Sequence, residues 1–125
     1  HRPMLALHFG VAREAAGFRI ERTAQNLCRI AADVTGCLPA ASHLDGAGPE
    51  TRTSGIDTCA LAARLASRGY PVSISDDAGA YLCNAVLYHS LSAAEALAPA
   101  ACRSGFIHIP SDLSGPPLSY PEALE

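Results

Sequence analysis

Three short apolar runs, "PMLALHFGV" from Pro3, "YPVSIS" from Tyr70 and "SGFIHIP" from Ser104, alternate with stretches of helical spacing, and this alternation constrains the fold more than any other feature. The first run ends in a loop just after Gly10 and reads as a buried strand; the third is closed by Pro110. Between the first two, "FRIERTAQNL" sets Phe18 and Ile20 against Arg19 and Glu21, the period of a half-buried strand. "DTCALAARLASRG" carries Leu61, Ala62 and Leu65 at helical spacing, with Asp57 at its start and Gly69 as its stop, and predicts a helix. After Gly79, the residues Cys83, Val86, Leu87 and Leu91 predict a second helical stripe with Cys83 at or near the helix start. "SYPEALE" predicts a last helix, opened by a capping box of Ser119 and Glu122. Residues 35–56 hold five Gly or Pro between Gly36 and Pro49 and read as one long loop. Strands alternating with helices predict an α/β fold of three layers, a largely parallel twisted sheet flanked by helices, in a single domain over residues 1–125.

Composition narrows the function classes. At 125 residues and 49% apolar, the chain has the size and the apolar content of one globular domain. All nine basic residues are Arg, scattered against a net charge of −3, which gives no footprint for nucleic acid or for an acidic membrane surface. The absence of Lys excludes Schiff-base and P-loop chemistry. No apolar run approaches the roughly 18 to 20 residues of a bilayer span, and no signal pattern stands at the N-terminus, so the expected location is the cytoplasm. Cys28, Cys37, Cys59, Cys83 and Cys102 form neither a C-x-x-C pair nor a disulfide-scaffold spacing, which favours free thiols in a reducing compartment.

Cys83 is the cysteine whose setting suits chemistry. A helix start lowers a thiol pKa, because unpaired backbone N–H groups and the helix dipole stabilise the thiolate. The competing reading is a small apolar residue in a buried turn. Of the five histidines, His89 follows Cys83 by six residues on one helix, which turns it about 120° away and raises it by about 9 Å. His108 lies near the end of a strand, on the edge that strand ends share with helix starts, and is the better base, with a histidine satisfied in the core as the alternative. A carboxylate to orient the imidazole is sought among Glu21, Asp76 and Asp77; Glu21 is preferred because it interrupts a packed segment, but spacing does not separate the three. There is neither H-E-x-x-H nor a paired-ligand spacing, so no metal site is expected.

"SDDAGAYLCNAVLYHSL" resembles the nucleophile segment of the pyroglutamyl peptidase I family (pyrrolidone-carboxylate peptidase), "SGFIHIP" resembles its histidine segment, and "FRIERTAQN" its glutamate segment, in the family's order. The resemblance runs from about residue 4 to 125. It implies a partial copy of a phosphorylase/hydrolase-like fold and a triad of Cys83, His108 and Glu21. The implied enzyme is a cysteine peptidase that removes N-terminal pyroglutamate (5-oxoproline) from peptides through a thioester, with neither metal nor organic cofactor. The implied partners are such peptides, not nucleic acid or membrane; homo-oligomerisation is left open. Two departures accompany it. The family's Gly- and Phe-bearing loop after its first strand has no counterpart, and the last helix stops at Glu125. The expectation is therefore a chain cut at both ends, with an incomplete pocket and no pyroglutamyl cleavage by the 125 residues alone. In place of the family's A-R-I-P-like stretch, whose arginine is associated with the oxyanion, "LCRIAADVTG" offers Arg29 at a displaced position. The rival reading is a non-catalytic relative, a binding or assembly protein that keeps the triad letters.

Overall fold

The computed structural model describes residues 3–97, 102–114 and 121. Its elements are β1 (Leu5–Ala12), β2 (Phe18–Glu21), β3 (Thr23–Gln25), β4 (Thr51–Thr53), α1 (Thr58–Ser67), β5 (Val72–Ser75), α2 (Leu82–Ala96) and β6 (Arg103–Pro110). The helix predicted over "SYPEALE", with its capping box of Ser119 and Glu122, lies outside the described residues apart from Pro121.

β1, β6, β2 and β5 form a four-stranded sheet in that order. β1 runs parallel to β6, and β2 parallel to β5, while β2 meets β6 antiparallel, so the sheet is mixed at its centre. Side chains alternate across it. Ile20 and Ile107 face α1 and pack with Leu61, Ala62 and Leu65; Phe106 faces the other way and packs with Leu87, Tyr88 and Leu91 of α2. The result is the expected three-layer α/β arrangement. Among the described residues, no helix is long and apolar enough to cross a membrane.

α1 is specified locally at both ends. The Asp57 carboxylate accepts from the Ala60 N–H at 2.9 Å, which satisfies one of the orphan donors of the first turn. At the other end Gly69, at φ +86°, lets the Gly69 and Tyr70 N–H groups donate to Ala66 and Leu65 carbonyls at 2.9 and 3.1 Å. That is a Schellman closure.

Three expectations change. β1 is not buried. It is an edge strand, and Leu5, Phe9 and Val11 on its α1-side face are 51, 60 and 62% exposed, because α1 packs over β2 and β5 instead. The 35–56 loop contains β4, which pairs antiparallel with β3. Its sequence, Thr-Arg-Thr, has no apolar alternation, so only the pairing reveals it. Finally, α2 buries Asn84, Leu87, Tyr88, Leu91 and Ala94 and leaves Val86 exposed, a stripe rotated from the predicted one. The cause is Asn84. Its side chain accepts from the Gln25 N–H at 2.8 Å and donates to the Gln25 and Leu27 carbonyls at 2.7 and 3.1 Å. The buried Asn84 side chain needs partners for its polar atoms, and it finds them by facing the helix toward β3.

Candidate active site

The register of the sheet brings the site together. Gly10, His108 and Arg19 are neighbours across β1, β6 and β2, and His8, Phe106 and Glu21 form the adjacent row. This face of the sheet meets α2. The His8 ring nitrogen Nε2 lies 2.8 Å from Ser90 Oγ on that helix.

Glu21 closes β2 and is completely buried, so it is not the exposed strand-face charge that its sequence context allowed. Its Oε1 lies 2.7 Å from His108 Nδ1, and His108 is itself 4% exposed. The Nε–H of Arg19 donates to the same oxygen at 3.1 Å. An ionised carboxylate has no hydrogen to give, so facing one Nδ1 carries the hydrogen. The neutral imidazole then presents Nε2 as the acceptor. The other carboxylate oxygen, Oε2, is buried without a hydrogen-bond partner among the described residues.

The aspartates that spacing left open are committed elsewhere. Asp76 accepts from Thr23 Oγ at 2.8 Å and pairs with the Arg22 guanidinium, whose hydrogen bond holds the carboxyl down at about 2. The Asp77 carboxylate accepts from the Gly79 N–H at 2.8 Å, in the turn that Gly79 makes at φ +81° ahead of α2. His89 is exposed on α2, edge-on to Tyr88.

Cys83 is the second residue of α2 and is partly buried. Tyr81 precedes the helix without a side-chain cap, so the side chain leaves the first N–H groups open. Burial pushes the thiol up from its usual range, and the Glu21 charge adds to this; the Cys83 N–H and the Arg19 charge pull the other way. The expected lowering by the helix start is therefore outweighed, because removing a thiolate from water costs more than one amide dipole returns. Gly10 accounts for the close approach of β1. A Cβ there would stand 2.8 Å from the tip of the Phe106 ring and 3.2 Å from Cys83 Sγ. The Phe106 ring in turn lies 4.9 Å from that of His108, centroid to centroid. Sulfur and imidazole thus share Gly10 and Phe106 as neighbours, with no hydrogen bond between them at rest.

A cavity of about 420 Å³ opens over the sulfur, lined by His8, Gly10, Cys83, Val86 and Phe106. A second, of about 230 Å³, shares Leu82 with it and is walled by Tyr81, Arg29 and Leu38. Arg29 is held there by its own N–H, which donates to the Ala80 carbonyl at 2.6 Å. Among the described residues, no group of three or more His, Cys, Asp or Glu side chains is placed to hold a metal ion.

Sequence reasoning missed Arg19, Gly10, His8 and Asn84. Arg19 had a usable signal, since position i−2 on a strand shares the face of Glu21. Asn84 had one too, a polar residue inside an otherwise apolar helix stripe.

The family model described as pyroglutamyl peptidase matches residues 1–113. Among curated proteins, the chain is 32% identical over 111 residues to the pyrrolidone-carboxylate peptidase of Cupriavidus pinatubonensis, covering 87% of this chain and 51% of that one. It is 34% identical over 112 residues to human pyroglutamyl-peptidase 1, covering 88% and 51%. Among solved structures, the pyrrolidone carboxyl peptidase of Fervidobacterium islandicum superposes with a TM-score of 0.79 at 31% identity, over 88% of this chain and 53% of that one. The chain spans about half the length of the curated relatives it matches.

Proposed function

The chain belongs to the pyroglutamyl peptidase family, and from that premise we propose that it carries the catalytic triad of a cysteine peptidase that removes the pyroglutamyl residue from the N-terminus of peptides. The observation that carries this reading is the buried 2.7 Å contact between His108 Nδ1 and Glu21 Oε1, on the sheet face that packs against the helix start bearing Cys83. Residues 1–125 then belong to one α/β catalytic domain and carry its triad, and the proposed location is the cytoplasm, in keeping with five free cysteines.

Burial and the Glu21 charge hold the thiol up, so the sulfur needs a base to take its proton as it attacks. His108 Nε2 takes the Sγ proton as the sulfur attacks the carbonyl carbon that joins pyroglutamate to the next residue. Backbone N–H groups at the start of α2 face the developing oxyanion. The imidazolium then protonates the leaving amine, the C–N bond breaks, and a thioester remains on Cys83. Water, losing its proton to the same Nε2, cleaves the thioester and releases pyroglutamate and the thiol. Glu21 stays ionised, holds the ring tautomer and stabilises the imidazolium.

The test is release of a chromogenic amine from its pyroglutamyl and prolyl derivatives by the protein that carries this chain, with Cys83→Ala as the control. Pyroglutamyl-selective turnover that vanishes in the control is expected. Folded protein without turnover would favour the non-catalytic relative, and equal turnover by the control would remove Cys83 as the nucleophile.

A further inference from the structure

We propose that Arg19 is a positioning residue of the triad, a permanent countercharge that holds Glu21 and shares the one carboxylate oxygen that also takes His108. The inference rests on the function proposed above, though its test does not. Glu21 has no exposed surface, and of its two oxygens only Oε1 is bonded, to His108 Nδ1 at 2.7 Å and Arg19 Nε at 3.1 Å. A neutral imidazole, the form in which a base acts, brings no charge to this carboxylate. A carboxylate buried without a cation is strongly disfavoured. A guanidinium is charged at every relevant pH, and Arg19 supplies it from the row of the sheet that contains His108.

Among the described residues, the other charged groups near the site do not substitute for it. On β2 the groups facing His108 are Glu21 and Arg19 themselves. From α2 comes Cys83, and from β1 comes His8, which stacks on Phe106 rather than on His108. Beyond β5, Asp76 is paired with Arg22, and Asp77 accepts from Gly79. The Arg19 charge also reaches Cys83, where it favours the thiolate. One residue therefore acts on all three members. It donates to the carboxylate oxygen that also takes His108, and its charge favours the thiolate of Cys83.

The signs follow directly. Without Arg19 the imidazolium has Glu21 to itself, so His108 titrates at higher pH. The thiolate loses a favourable charge, so Cys83 ionises at higher pH as well. The experiment follows His108 by NMR titration of its ring, and Cys83 by the pH dependence of iodoacetamide alkylation with peptide mapping, in wild type, Arg19→Gln and Arg19→Lys. Both midpoints are expected to rise by about half a unit to one unit in Arg19→Gln, and Arg19→Lys is expected to restore most of the shift. Should Arg19→Gln fail to fold, Arg19→Met, which keeps the apolar stem, gives the same reading. Titrations that superimpose on wild type, or a lysine variant that behaves like the neutral one, would overturn the proposal. Neither readout needs turnover. Absent peptidase activity with shifted midpoints would undo the proposed function alone, and unshifted midpoints in an active peptidase would undo only the role of Arg19.

Discussion

His108 and Glu21 are 87 residues apart in sequence, yet their side chains meet at 2.7 Å across the antiparallel junction of β2 and β6, both out of water. The contact itself is buried, so the Glu21 charge acts strongly on the imidazole, while the Arg19 side chain that shares Oε1 is 32% exposed.

Glu21→Gln keeps the shape of the side chain and removes its charge. The loss should fall on kcat rather than on KM, because the charge matters most once His108 carries the proton, and a drop of 100-fold or more (on the order of 10² to 10⁴) is expected. Steady-state kinetics on a pyroglutamyl amide check it; a variant with wild-type kcat would remove Glu21 from the triad.

The two histidines should separate cleanly. His108→Ala is expected to abolish nearly all turnover, whereas His89→Ala, on the exposed face of α2, should retain most of it. Comparable losses in the two variants, measured at matched folded concentration, would show that the base has been misassigned.

Gly10→Ala introduces a methyl group 2.8 Å from the Phe106 ring and 3.2 Å from Cys83 Sγ. The ring must shift, and the sulfur must give by a few tenths of an ångström. The expected outcome is a loss of kcat/KM of roughly ten-fold or more with destabilisation of about 1–3 kcal/mol. Urea unfolding alongside kinetics separates the two effects.

Asn84→Ala removes the fully buried side-chain amide that partners the Gln25 N–H and the Gln25 and Leu27 carbonyls. A loss of about 2–4 kcal/mol in unfolding free energy is expected. Since this amide sets the rotation of α2, alkylation of Cys83 should accelerate as the helix start loosens; an unchanged midpoint in urea would count against the assignment.

Asp76 gives a pH signature. Its carboxyl titrates at about 2 in the folded chain because of the Arg22 hydrogen bond, below the value of about 3.9 for a free aspartate. A depressed carboxyl contributes stability above its unfolded value and loses it as pH falls toward the folded one. Asp76→Asn should therefore flatten the dependence of the melting temperature on pH between about 4 and 2, with peptidase activity near neutral pH unchanged. A wild-type slope in the variant would show that the pair with Arg22 does not persist in solution.

The sequence by itself determined those features whose signals lie within a few residues. Asp57 and Gly69 bracket α1 because each acts on the backbone three or four positions away. Gly79 followed by an apolar stripe announced a helix start at Cys83, and helical periodicity alone turned His89 away from it. Tertiary structure decided the rest. Glu21, Asp76 and Asp77 are equivalent as letters, and only the β2–β6 register delivers Glu21 to His108 while Arg22 and Thr23 retain Asp76. The exposure of Leu5, Phe9 and Val11 depends on which strand ends at the sheet edge and where α1 comes to rest. The rotation of α2 depends on what Asn84 finds on β3. The ionisation of Cys83 depends on burial and on charges from another strand, which outweigh the local dipole that the sequence announced. Capping and periodicity act through bonds and contacts along one stretch of chain, whereas partner choice, burial and field strength are properties of segments that only folding brings together.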